Sequence, residues 1–122
     1  MFINISKQPV DKDNKQNIQN ADWEEQSLDI REMMEKLLEM YGMKHIFKAG
    51  RHTKANFMSA EFIFLDFDDF TMPFEEYYST VPQELKPSLC YTTKNNCKDG
   101  KGYRFRFVYC FTEPIYNETL FV

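Results

Sequence analysis

At 122 residues the chain fits one domain, and folding at that length buries roughly two-thirds of the unfolded surface, so one core forms without disulfide or metal staples. Twelve Phe, seven Tyr and one Trp exclude a disordered chain and favour a strand-containing fold. A net charge of −4 gives no overall nucleic-acid signature.

Phe2 to Ser6 alternates apolar and polar residues and predicts a short strand, followed by a polar arm over Lys7 to Asn20. Ser27 reads as an N-cap, behind which Ile30, Met33, Met34, Leu37, Leu38 and Tyr41 fall on one helical face expected to meet the core. Gly42 stands where a left-handed C-cap would end that helix. A short strand is expected around His45 to Phe47. Ala60 to Asp68 predicts the main strand, with Ile63, Leu65 and Phe67 on one side and Phe62, Phe64, Asp66 and Asp68 on the other. A short acidic helix follows over Phe74 to Ser79, with Pro73 in its first turn. Ser88 to Thr93 and Gly102 to Phe111 predict an antiparallel pair around the turn-rich "KNNCKDGKG", closed by Pro114. The sum is a single α+β domain over residues 1–122, with a small mixed or antiparallel sheet and flanking helices.

Cys90, Cys97 and Cys110 are odd in number and lack CxxC spacing, so they neither demand a disulfide nor build a zinc site. A reducing cytoplasm is the default, and no run of about 18 apolar residues calls for a membrane partner. The sequon Asn117-Glu118-Thr119 then carries no meaning. Charge is segregated. Lys44, His45, Lys48, Arg51, His52 and Lys54 form one basic segment, and Lys86, Lys94, Lys98, Lys101, Arg104 and Arg106 a second. Between them, Glu61 to Glu76 holds no Lys or Arg.

"FIFLDFDDF", residues 62 to 70, drives an oily strand into three acids, and buried carboxylates are costly unless paired. Asp66 and Asp68 lie two apart, so their carboxylates leave one face with Cα atoms about 6.6 Å apart. That suits Mg²⁺, or paired ions about 3.5–4 Å apart that stabilise both oxygens of a phosphoryl transfer. Asp69 points away. Arg104 and Arg106 also share a strand face, and the guanidinium fork matches phosphate. Solvated acids at a strand end, and an Arg104–Glu cross-strand pair, are the bland alternatives.

Three stretches in this order, "SAEFIFLDFDD", "LCYTTKNN" and "KGYRFRFVYCFTEPI", resemble the archaeo-eukaryotic primase superfamily, in particular the primase–polymerase domains of phage and plasmid replication proteins. There a strand ends in hDhD, a YTT strand leads to an S-x-H motif, and an RFR strand follows. R-x-x-K-x-N-F, from Arg51 to Phe57, also looks familial, and the likeness runs from about Trp23 to Ile115. The resemblance implies the N-terminal part of a nucleotidyltransferase domain. Its metal, Mg²⁺ or Mn²⁺, would sit on Asp66 and Asp68, with Arg104 and Arg106 facing nucleoside triphosphate or a DNA or RNA template. The family's nucleotide-contacting Ser and His fall near Asn95 and Asn96, which leaves Asn96, with Lys94, to reach phosphate without the charge a His can carry. The family's third acid lies on a later strand, beyond Val122. Activity of this chain alone is therefore an open expectation.

Two other classes stand beside it. One is a catalytically dead phage or mobile-element protein that binds a host replication or defence protein through its acidic surface. The other takes "FLDFDDFT" as the nucleophile loop of a haloacid-dehalogenase-type phosphatase, although Thr71 comes one position late and a hairpin does not suit a parallel αβα fold.

Overall fold

The computed structural model describes residues 1–11, 22–48 and 53–116. The polar arm beyond Asp11, Arg51 and His52 of the first basic segment, and the Asn117 sequon lie outside them. The chain is α+β, with two helices among the described residues and two antiparallel sheets, and it divides into two compact units, Met1–Glu61 with Phe111–Val122 and Phe62–Cys110. Among the described residues no helix is long and apolar enough to cross a membrane.

The first unit is built on β1 (Phe2–Pro9), the middle strand of three. On one side β1 pairs antiparallel with β2 (Trp23–Ser27), Phe2 opposite Ser27 and Ser6 opposite Trp23. On the other it pairs with β3 (Tyr41–Lys44), Ile5 opposite Met43. Ile3 and Ile5 alternate to one face and are fully buried, as strand period 2 requires. β4 (Ile46–Phe47) pairs antiparallel with the first residues of β5 (Phe57–Phe70). A three-stranded sheet at this end was not expected. The acid-rich "WEEQS" of β2 lacks the β-branched and aromatic signature of a strand, and its partner β1 supplies the apolar face.

Helix α1 (Ile30–Leu38) begins two residues later than the sequence suggests. Asp29, not Ser27, is the N-cap: its Oδ1 accepts the Glu32 N–H at 2.8 Å, and Glu32 Oε1 accepts the Asp29 N–H at 3.3 Å, a capping box. Ser27 is spent as the last residue of β2. Asp29→Ala is expected to destabilise the fold by about 1 kcal/mol, while Asp29→Ser holds within a few tenths; chemical denaturation of the two variants reads the difference. The helix also ends differently. Met40 takes the left-handed conformation (φ 69°), and Gly42 belongs to β3. Gly42 is glycine for space, since a Cβ there would stand 2.9 Å from the Trp23 ring. Only two of the six residues of the apolar stripe are buried, Met33 and Leu37, whereas Ile30, Met34 and Leu38 are exposed.

The second unit holds β5 from Phe62 onward, α2 (Phe74–Thr80), β6 (Leu89–Thr92) and β7 (Tyr103–Ile115) as far as Cys110, with strand order β5-β7-β6. β6 and β7 form the expected antiparallel pair, with Leu89 opposite Val108 and Tyr91 opposite Arg106. Cys97, Asp99 and Gly100 turn the chain between them at positive φ. β7 does not stop at Pro114 but runs to Ile115. One face of this sheet is an aromatic core. Phe67 stacks on Phe105 with centroids 4.7 Å apart, and meets Phe107 at 5.1 Å and Tyr77 of α2 at 5.2 Å. Phe105 and Phe107 are each 1% exposed. The helix thereby covers that face, and the acidic run is left to the other.

Candidate functional site

Period 2 on β5 puts Asp66 and Asp68 on the side away from Phe67, and period 2 on β7 puts Arg104 and Arg106 on the side away from Phe105. Because the strands are antiparallel neighbours, the two pairs interdigitate. Arg106 Nε donates to Asp66 Oδ1, and Arg104 Nη1 lies 3.7 Å from Asp68 Oδ1. On the far side of β7, Arg106 Nη1 donates to the Tyr91 hydroxyl at 3.0 Å. One row of side chains, Asp66, Arg106 and Tyr91, thus crosses three strands. The guanidinium of Arg106 also lies over the Phe64 ring, 4.7 Å from its centroid.

The answer to the acids at the end of an oily strand is therefore an arginine for each of two. The side chains of Asp66 and Asp68 are 52% and 67% exposed, against 14% and 27% for Arg106 and Arg104. The acids face solvent and the arginines stand behind them. Burial works against the charge of Arg106, but its hydrogen bond to Asp66, with the Tyr91 and Asp66 contributions, more than offsets this and holds the guanidinium above its ordinary value. Burial likewise raises the Tyr91 phenol, against the pull of Arg106. So Arg106 stays charged and Tyr91 stays a phenol at any ordinary pH. Arg104 is less well satisfied: its Nε is buried without a hydrogen-bond partner, and its Nη1 is beyond hydrogen-bond reach of Asp68.

Asp69 has a different task. It takes a left-handed conformation (φ 52°), and its Oδ1 accepts the Gly102 N–H at 2.7 Å. A Cβ on Gly102 would stand 2.7 Å from the Phe70 carbonyl oxygen, so the end of β5 and the start of β7 touch only because no side chain intervenes. This contact sits beside Asp68 and Arg104 and fixes their register. Gly102→Ala is expected to cost about 1–3 kcal/mol through overpacking, read as a lowered denaturation midpoint. Asn96 also acts on the backbone: its Oδ1 accepts the Arg104 N–H at 2.9 Å, while the Arg104 carbonyl accepts the Thr93 N–H at 3.1 Å. The side-chain oxygen of Asn96 thus holds Arg104 in place. Lys94 lies in the turn that follows Thr93.

The arrangement can hold a cation on two carboxylates and an anion on two guanidinium groups. Among the described residues no group of three or more His, Cys, Asp and Glu could hold a metal. Two carboxylates nevertheless suit Mg²⁺, which keeps waters and takes substrate phosphate as further ligands. A cation arriving at the carboxylates, or an anion at the guanidinium groups, would have to compete with the ion pairs already in place. Tyr91 and Phe64, which orient Arg106, escaped the sequence reading; the signal was their alternation in phase with the acidic and basic pairs, which has no meaning until the register is known. No protein-family model matches the chain, and no curated protein or solved structure matches it.

Proposed function

We propose that the chain is a primase–polymerase-like module that handles a nucleoside triphosphate and nucleic acid, with Mg²⁺ or Mn²⁺ on Asp66 and Asp68 and phosphate on Arg104 and Arg106. One observation carries the reading: the two acids and the two arginines interleave on a single, solvent-facing side of β5 and β7. The ordered motifs that resemble the primase superfamily support it. A bound divalent ion would neutralise phosphate charge and activate an attacking oxygen. The chain's own part is to hold and orient. Asp66 and Asp68 fix the cation, Arg106 presents a fork braced by Tyr91 and Phe64, and Asn96 keeps Arg104 in register.

The pairing of each acid with an arginine also favours a second reading, a protein-binding module of a phage or mobile element in which the lattice is a neutral structural element. Titration with Mn²⁺ and a nucleoside triphosphate separates the two, followed by an assay for metal-dependent incorporation on a primed template. Saturable binding that needs the metal supports the nucleotide module. Absence of any nucleotide binding, together with tight metal-independent capture of a protein partner, contradicts it.

A further inference from the structure

Each ligand-binding group of this site already faces an opposite charge inside the site. Arg106 Nε donates to Asp66 Oδ1, and Arg104 Nη1 stands 3.7 Å from Asp68 Oδ1. A cation that comes to the carboxylates must compete with guanidinium groups, and a phosphate that comes to the guanidinium groups must compete with carboxylates. When both arrive, each frees the groups that the other needs. Resting on the reading above, we infer that the ion-pair lattice couples the two ligands, holding back a divalent cation or a polyphosphate alone and favouring the pair.

The geometry gives the coupling a direction and an order. Arg106 is held by the Tyr91 hydroxyl at 3.0 Å and by the Phe64 ring as well as by Asp66. When a cation draws Asp66 away, Arg106 keeps its place and remains presented to phosphate. Arg104 makes the longer contact and leaves its Nε unpartnered, so its share of the coupling is smaller. Linkage makes the effect reciprocal: whatever factor the polyphosphate adds to cation affinity, the cation adds to polyphosphate affinity, and such factors run about 5–150-fold.

Manganese and polyphosphate also associate in free solution, so the test keeps them apart. Calorimetric titrations of the whole chain use MnCl₂ alone and, separately, sodium tripolyphosphate alone. Arg106→Gln removes the competitor of Asp66 and is expected to strengthen Mn²⁺ binding by about fivefold or more, and Arg104→Gln by about twofold. Asp66→Asn removes the charge that competes for Arg106, leaving a weaker neutral contact, and is expected to strengthen tripolyphosphate binding by about fivefold or more. Lys101→Gln and Glu75→Gln make the same charge changes at exposed residues outside the two ion pairs, where salt screening weakens exposed charges, and each is expected to change affinity by less than about twofold. Thermal melts confirm that each variant folds, and Arg104→Gln carries the test if Arg106→Gln does not.

Mn²⁺ affinity that is unchanged or weakened by the arginine substitutions overturns the coupling while the nucleotide reading stands. Equal effects from Lys101→Gln and Glu75→Gln also overturn it, because net charge then suffices. If neither the unmodified chain nor any variant binds Mn²⁺ or tripolyphosphate, the proposed function fails and the coupling fails with it.

Discussion

Replacing both Asp66 and Asp68 by Asn is expected to weaken Mn²⁺-dependent nucleotide binding by at least about 100-fold, because two charge-assisted contacts at about 1.5–3 kcal/mol each are lost. The same change should leave the fold standing. Both side chains are more than half exposed, and an amide oxygen at position 66 can still accept from Arg106. The two ion pairs together contribute about 2 kcal/mol at most, since exposed pairs are weakened by solvent and side-chain entropy. Calorimetry for binding and a thermal melt for folding read the two effects separately. Nucleotide binding that survives in a folded double variant removes these acids from the mechanism.

Phe105→Ala carries the largest expected effect on stability. Phe105 is 1% exposed and stands at the centre of the second unit's core, stacked on Phe67 at 4.7 Å and edge-on to Phe70 at 5.5 Å. Truncating such a ring costs about 3–5 kcal/mol, from lost transfer energy and the cavity left behind. A domain has only about 5–15 kcal/mol to lose, so Tm should fall by on the order of 15 °C. Leu65→Ala is the matched control. Leu65 belongs to the same side of β5 by alternation, yet it is 47% exposed, and its truncation should cost about 0.5 kcal/mol or less. Equal costs at the two positions would mean that the aromatic face is not the core.

The two long strands and the hairpin were legible because their alternation is strong. Phe67 and Phe105 repeat with period 2 against Asp66, Asp68, Arg104 and Arg106, and the structure keeps the two sets on opposite sides. Register was not legible. Nothing local says that Asp66 faces Arg106 and Asp68 faces Arg104, or that Tyr91 completes the row; these follow from cross-strand pairing. The first unit was read less well for the same reason. Gly42 passed for a helix cap because the Trp23 ring that crowds it is distant in sequence, and Ser27 passed for an N-cap because β2 is an acid-rich strand held by β1. The apolar stripe of α1 gave the right helix but not which of its residues turn inward. Asp69 was set aside as pointing away, and it does, but toward the Gly102 N–H, where it holds the site's two strands together.

The most direct measurement is paramagnetic broadening of ¹⁵N-labelled chain by trace Mn²⁺ in the presence of tripolyphosphate. If the interleaved acids and arginines are the ligand site, signals from residues 64–68 and 104–106 vanish first, before those of α2 on the opposite face of the same sheet. Broadening centred on any other part of the chain, or none at all, would contradict the assignment.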